Sequence, residues 1–233
     1  MSKTILLNQN WIFSKDGHDE TVTLPHTWNA MDGQDGGNDY WRGTCIYRTR
    51  FAAPQFNTAS HQVWIQFDGV NASAHVVLNG SPVCNHDGGY STFRANITEL
   101  LRDENELTVE VDNSKNDRVY PQKADFTFYG GIYRDVELVV TGRTAVSPLY
   151  LGSDGVLVHP QAVDSLSVSG EAEIHLVSKE GNACMVTLDI AAPDGRPVFS
   201  KRQRARLGRQ TGRVPVRFRG AGAVEPRSPS LYT

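Results

Sequence analysis

At 233 residues, the chain is longer than one typical β domain and fits two domains of about 100 to 150 residues each. Its hydrophobic content of 39% and charged content of 21% predict a folded chain and argue against wholesale disorder. No run of about 18 apolar residues occurs, which argues against a membrane partner and a secretory signal. Cys45, Cys84 and Cys184 are odd in number and widely spaced, which argues against a disulfide framework and a zinc site. We expect three small buried thiols in a reducing, cytoplasmic compartment.

Charge is distributed unevenly along the chain. Residues 1–142 carry 11 Lys and Arg against 18 Asp and Glu, whereas residues 143–233 carry 12 against 8. Residues 196–219 contain nine basic side chains and no acid, a pattern that can mark a nucleic-acid interface. Three of these basic residues recur at period two: Arg202, Arg204 and Arg206. Because no recognition helix or aromatic RNA-binding signature accompanies them, we expect one solvated face of a strand and no nucleic-acid partner.

The first half of the sequence consists of short alternating apolar runs separated by turn residues, which is typical of a sandwich or barrel. Strands are predicted at residues 44–51, 63–67, 74–78, from 82 onward, at 107–111 and at 136–140. Asn79-Gly80 suits the positive φ angles of a two-residue hairpin, and residues 97–101 fit a single helical turn. The absence of any longer helical period excludes nucleotide-binding folds of the βαβ type.

Small and polar residues at 141–144 follow a strong strand, so we place a domain boundary there and expect domains at 1–142 and 143–233. Beyond the boundary, residues 168–177 and 184–191 alternate again, and Ala192-Pro193-Asp194-Gly195 predicts a turn. About 90 residues of such strands fit an immunoglobulin-like sandwich. The Cys, Trp and Cys hallmark of antibody domains is missing, because the second half contains no Trp. The sequence thus predicts an all-β protein.

Catalytic motifs are missing from the sequence. It contains no nucleophile elbow, phosphate loop or metal-ligand helix, and Glu104, Glu106 and Glu110 are expected to point to solvent by strand alternation. Asn105-Glu106 is interpreted as part of a turn and not as a catalytic pair. The segment from Leu24 to Gly43 is more informative, because it mixes aromatic residues with amides, acids and arginine. Such loops bind sugars, with an aromatic ring on the C–H face and polar groups on the hydroxyls.

Residues 125–136, Asp-Phe-Thr-Phe-Tyr-Gly-Gly-Ile-Tyr-Arg-Asp-Val, closely resemble the signature near the end of the sugar-binding domain of family 2 glycoside hydrolases. Four further stretches resemble that family in the same order: 24–29, 39–43, 67–70 with 78–80, and 105–111. Together these motifs cover most of residues 20–142. The second half resembles the family more faintly, and residues 229–233 look like the strand that enters the end of its immunoglobulin-like domain. We therefore expect the C-terminal part of the second domain to be missing.

The resemblance implies a jelly-roll, galactose-binding-like β-sandwich followed by an immunoglobulin-like β-sandwich. In the family, the jelly roll packs against a TIM barrel that carries both catalytic glutamates, so no catalytic residue is expected in this chain and the chain alone should be inactive. Asp125 matches a family aspartate that contacts the galactosyl unit and, in some members, a sodium ion. No cofactor is expected to be required, although the full enzyme could use Na or Mg. The other expected substrate-binding residues are Asn38, Asp39, Tyr40 and Arg42.

Three functions remain open at this point. The first is the noncatalytic front part of a retaining β-galactosidase, since residues 39–43 look more like the galactosidase branch than the glucuronidase branch. The second is a free-standing carbohydrate-binding module. The third is an assembly module whose loops contact a partner subunit and no sugar. The expected partners are a β-galactoside or related carbohydrate and the missing TIM barrel. The sequence leaves the oligomeric state open, and a homo-oligomer is one of the alternatives.

Overall fold

The structure is a computed structural model that describes residues 3–32, 40–57, 59–120, 127–163, 168–179, 183–207 and 211–221. The chain divides into two compact units, residues 1–142 and residues 143–233. Both units are built from β-strands, which are numbered here in chain order. The described residues contain no helix with the length and hydropathy that crossing a membrane requires.

The first unit is a sandwich of two antiparallel sheets. In order across the larger sheet, its strands are β3 (His18–Val22), β2 (Trp11–Lys15), β4 (Thr44–Ala52), β9 (Glu104–Asp112), β6 (Ser73–Leu78) and β7 (Ser81–Asp87). The smaller sheet has the order β1 (Lys3–Leu6), β10 (Val136–Gly142), β5 (His61–Phe67) and β8 (Phe93–Asn96). The core between them includes the fully buried Trp11, Tyr47, Ile65 and Phe67. This architecture confirms the predicted galactose-binding-like sandwich.

Strand β9 shows how the sequence pattern specifies the sandwich. Its residues alternate strictly, because successive side chains of a strand point to opposite faces of the sheet. The buried set is Asn105, Leu107, Val109 and Val111, and the exposed set is Glu104, Glu106 and Glu110. The Asn105 amide accepts the Arg102 N–H at 2.9 Å and donates to the Arg102 carbonyl at 2.8 Å. Asn105 is therefore structural, but the predicted turn is wrong, because Asn105 and Glu106 both lie within β9.

Two predicted local features are present in the first unit. Asn79 and Gly80 form the β6–β7 hairpin with φ angles of 53° and 81°, as the two-residue turn requires. Thr98–Leu100 forms one 3-10 turn. The sequence pattern did not predict β1, β2, β3 or β8, because these strands are only four or five residues long, which is too short for a clear periodic pattern.

The second unit is a smaller sandwich. In one sheet, β13 (Val168–Ser178) pairs with β11 (Thr144–Val146) and β12 (Val156–Val163) along one edge and with β16 (Thr211–Ala221) along the other. Opposite it lies the hairpin of β14 (Ala183–Ala191) and β15 (Pro197–Arg206). Ile174, Leu176, Val186, Ala205 and Leu207 form the core of this immunoglobulin-like domain. The predicted turn at residues 192–195 is present, since Gly195 N–H donates to the Ala192 carbonyl. Residues 229–233 lie outside the described residues.

The prediction of three buried thiols is wrong for two of them. All three cysteines are free, but only Cys45 is buried, whereas Cys84 and Cys184 are half-buried. Cys45 lies on β4, inside the larger sheet, and burial raises its pKa to about 12. Cys84 and Cys184 lie on β7 and β14, each at the edge of its sheet, so their side chains are covered from one side only.

Truncating a core residue should unfold the first unit more easily, and all four tryptophans lie in that unit to report it. Ile65 is fully buried, so Ile65→Ala should lower the free energy of unfolding by about 2–5 kcal/mol. Ile12 is 36% exposed, and Ile12→Ala should lower it by less than about 1 kcal/mol. Urea unfolding followed by tryptophan fluorescence measures both. Equal losses from the two substitutions would contradict the described core.

Candidate functional site

Four loops meet at one end of the first sandwich. They are residues 23–32 after β3, 40–43 before β4, 113–120 after β9 and 127–135 before β10. These loops adjoin residues 33–39 and 121–126, which contain Asn38, Asp39 and Asp125. Those three predicted site residues therefore lie outside the described residues, and their roles stay predictions.

Asn29 holds three of the four loops through its fully buried side-chain amide. Its Nδ2 donates to Asp32 Oδ2 at 2.7 Å and to the Trp41 carbonyl at 2.8 Å. Its Oδ1 accepts the Gly130 N–H at 2.7 Å. All the hydrogen-bonding groups of this amide are thus used, as buried polar groups require.

Asn113 is equally buried and connects the fourth loop to the other three. Its Nδ2 donates to Asn29 Oδ1 at 3.2 Å and to the Phe128 carbonyl at 3.1 Å. Its Oδ1 accepts the Gly43 N–H at 2.9 Å, and its backbone carbonyl accepts Arg42 Nε at 2.8 Å. We call Asn29 and Asn113 together the asparagine pair, because one hydrogen bond joins them at the centre of the four loops.

Gly130 and Gly131 allow the loop before β10 to lie close to the sandwich. A Cβ at Gly130 would lie 2.0 Å from Trp28 Cζ2, and one at Gly131 would lie 2.5 Å from the His26 carbonyl oxygen. Gly131 also has a φ of +132°, which other residues rarely adopt. Gly131 therefore has a structural role in this loop.

His26 and Tyr47 form the floor below these glycines. His26 Nδ1 lies 2.7 Å from the Tyr47 hydroxyl, and both rings pack against Phe13. Burial lowers the pKa of His26 and raises the pKa of Tyr47. The pair is therefore neutral at pH 7 and suits a structural hydrogen bond better than proton transfer.

Tyr40 and Arg42 lie together, as expected for two residues of one site. The Arg42 guanidinium lies 5.6 Å from the centre of the Tyr40 ring and 5.3 Å from that of Phe128. Its Nε is committed to the Asn113 carbonyl, so the guanidinium is held in place by one hydrogen bond and two aromatic faces. Arg42 also borders a narrow surface groove of about 10 Å³, which has room for about one water molecule.

The groove contains residues that the sequence analysis did not identify as site residues. Besides Arg42 and Phe128, it is lined by Asn71, Tyr90, Ser114 and Tyr120. Tyr90 is 54% exposed and Tyr120 is 75% exposed, which is unusual for large aromatic residues of a folded domain. Exposed tyrosines beside amides and a guanidinium provide the stacking and hydrogen-bonding groups that sugar recognition needs. The described residues contain no group of three His, Cys, Asp or Glu side chains that could hold a metal ion.

The fold and the site define the class of the first unit: a jelly-roll sandwich with a polar, aromatic groove among its end loops. Residues 34–140 match the family described as glycosyl hydrolase 2 galactose-binding domain-like. The chain is 35% identical to a β-glucuronidase of Bacteroides fragilis over 86% of its own length and 29% of the relative. It is 29% identical to a β-galactosidase of Thermoanaerobacter pseudethanolicus over 79% of its length and 26% of the relative.

A solved β-glucuronidase of Bacteroides uniformis has the same fold, with a TM-score of 0.89 at 28% identity over the whole of this chain and 30% of that structure. The chain belongs to glycoside hydrolase family 2, as its motifs predicted, and its first unit is the galactose-binding-like domain of that family. It spans less than a third of the length of these relatives and corresponds to their N-terminal portion.

The Asp32 carboxylate should make the stability of the four loops depend on pH. Hydrogen bonds from Asn29 and then from the Trp41 N–H hold its pKa below its usual value. A carboxyl group with a lowered pKa in the folded state stabilises the fold at neutral pH, and that contribution is lost as the pH falls through the lowered pKa. The difference in unfolding free energy between wild type and Asp32→Asn should therefore be largest near pH 7 and shrink below about pH 4.

Urea unfolding at a series of pH values tests this dependence. Asp117→Asn is the control, because Asp117 is an exposed carboxyl on the loop of residues 113–120. The account predicts a small, pH-independent effect for this control. A difference between wild type and Asp32→Asn that stays constant down to pH 3 (about one unit below the ordinary aspartate pKa) would show that Asp32 is not held ionised by these hydrogen bonds.

Proposed function

We propose that this chain supplies noncatalytic loops to the sugar site of a retaining β-glycosidase whose acid and nucleophile lie in a separate TIM barrel. The preferred substrate is a β-galactoside. Retaining hydrolysis needs two carboxyl groups about 5 Å apart on opposite sides of the sugar. Glu104, Glu106 and Glu110 lie on the exposed face of one strand, where they cannot flank a sugar in this way.

The observation that carries this proposal is the asparagine pair. It fixes the residues on either side of 33–39 and connects the loop of residues 113–120 to the loop that begins at Thr127. Buried polar groups are costly unless all their hydrogen bonds are made. The two fully buried amides at this loop end make theirs, and in doing so they hold the loop backbones in fixed positions. We infer that the frame presents Asn38, Asp39 and Asp125 to the substrate.

Tyr40 and Arg42 are assigned a direct role beside these residues. Arg42 offers N–H groups to sugar hydroxyls, and Tyr40 keeps its guanidinium in place through a cation–π contact. Asp125 is proposed to accept hydroxyl hydrogen bonds and to be a ligand for sodium in the complete enzyme. A carboxylate is suited to both tasks, since it offers oxygen atoms only as acceptors.

A second candidate substrate is a β-glucuronide. It is favoured by the 35% identity to the Bacteroides fragilis β-glucuronidase, which exceeds the 29% identity to the β-galactosidase relative. Both candidates share the retaining chemistry, and their sugars differ in the orientation of the C4 hydroxyl and in the carboxylate that replaces the C6 hydroxymethyl group.

A chimera tests the proposal. This chain replaces the matching N-terminal portion of the Bacteroides fragilis β-glucuronidase, and the hydrolysis of aryl β-galactosides and aryl β-glucuronides is measured for the chimera and for the chain alone. We expect no turnover by the chain and turnover by the chimera. In the chimera, Asp125→Ala and Arg42→Ala should each lower kcat/KM about tenfold or more, which corresponds to the loss of about 1.4 kcal/mol of binding.

Arg102→Ala is the control, because Arg102 is exposed and lies outside the four loops. It should leave kcat/KM within about twofold of the unmodified chimera. Turnover by the chain alone that disappears in Glu106→Gln would contradict the proposal. So would unchanged kinetics in both the Asp125 and the Arg42 variants, since the loops would then make no contact with the sugar.

A further inference from the structure

The β14–β15 hairpin of the second unit carries a row of arginines on its outer face. Along β15, Gln203 is half-buried and Ala205 and the following Leu207 are buried in the core, whereas the arginines beside them are exposed. The exposed arginines are Arg202, Arg204 and Arg206, which we call the arginine row. Because alternate residues of a strand lie about 7 Å apart, the row presents three positive charges in a line about 14 Å long.

No carboxylate pairs with the arginine row among the residues that the structure describes. Directly across the hairpin, the three arginines face uncharged residues of β14: Thr187, Met185 and Ala183. The described acid on the same face of β14 is Asp189, which lies opposite Ser200 and accepts a hydrogen bond from its hydroxyl at 2.7 Å. The three like charges therefore lie side by side without a neutralising partner opposite them, an arrangement that favours binding of an anion.

The shape of this face selects among anionic partners. A protein partner is normally anchored by large side chains that enter pockets, and Met185 is the only large exposed apolar side chain among the described residues of this face. The outer face of a two-stranded ribbon can enter the major groove of DNA, so a nucleic acid is one of the comparison polymers in the test below. The outer-face residues include no aromatic ring on which an unpaired base could stack.

A linear acidic polysaccharide matches the remaining features. A polyuronate has one carboxylate on every sugar ring, so a flat line of cations can meet several carboxylates of one chain. The planar guanidinium group binds carboxylates through paired hydrogen bonds, which favours arginine over lysine in this role.

We propose that the arginine row is a noncatalytic binding surface for an acidic polysaccharide, which holds the enzyme on a polymer that carries its substrate. This inference rests on the proposed function only in that the chain is part of a carbohydrate-acting enzyme. Each exposed ion pair contributes little, so the surface acts through several contacts and releases the polymer as the salt concentration rises.

The test uses the full chain and alginate, a polyuronate whose sugars differ from the galactosides expected in the loop groove. Binding is measured by affinity electrophoresis in about 50 mM and about 500 mM NaCl, with neutral dextran and single-stranded DNA as comparison polymers. We expect retardation by alginate at low salt, loss of retardation at high salt and no retardation by dextran. Absence of alginate binding at low salt, or tighter binding of DNA than of alginate, overturns the proposal.

Two triple variants with the same change in net charge distinguish binding of alginate by the arginine row from its general electrostatic attraction to the protein. The first removes the row, Arg202→Gln with Arg204→Gln and Arg206→Gln, and should weaken alginate binding more than about tenfold. The control removes three exposed cations of the first unit: Lys3→Gln, Arg102→Gln and Lys115→Gln. It should weaken binding less than about threefold, and equal losses in the two variants overturn the proposal.

Folding and groove variants complete the test. Arginines can also protect a sheet edge from aggregation, so each variant is checked by light scattering and circular dichroism. Should the triple variant aggregate, Arg204→Gln alone must still weaken alginate binding about threefold, and unchanged binding by that monomeric variant overturns the proposal. Arg42→Ala changes the loop groove and should leave alginate binding unchanged. A wrong assignment of the arginine row and a wrong assignment of the loop groove therefore give different results.

Discussion

The hydrogen bond between Asn113 Nδ2 and Asn29 Oδ1 is the contact on which the loop end of the first unit depends. It joins two fully buried amides whose other partners belong to three separate loops. Neither amide reaches water, so each lost partner would leave an unpaired polar group inside the domain. Because such a group is costly, the four loops are held together cooperatively. One loop cannot move without breaking hydrogen bonds made by the others.

The two β-sheets provide the platform that this arrangement needs. Antiparallel pairing across the larger sheet places the end of β9 beside the start of β4, and the loops that follow and precede these strands therefore meet. Gly130 and Gly131 then let the loop before β10 approach the indole ring of Trp28 and the carbonyl oxygen of His26. The aromatic floor of Phe13, His26 and Tyr47 is rigid and uncharged at neutral pH, so polar recognition is left to the loops above it.

The sequence predicted the fold well where residues alternate over a long strand. Strand β9 was predicted at residues 107–111 because apolar and polar residues alternate there, whereas β3 consists almost entirely of exposed residues and offers no such pattern. The site was predicted less completely. Resemblance singled out the loop residues, but the roles of Asn113 and Tyr120 depend on contacts between residues far apart in sequence, such as the 84-residue separation of the asparagine pair. No local propensity encodes such contacts.

A double-mutant cycle between Asn29 and Asn113 tests this account most directly. The unfolding free energy of the first unit is measured by tryptophan fluorescence for wild type, Asn29→Ala, Asn113→Ala and the double variant. Because both amides share one network, the account predicts that their effects are not additive, with a coupling energy of about 1–3 kcal/mol. Effects that add to within about 0.3 kcal/mol would contradict it, because the two asparagines would then hold their loops independently.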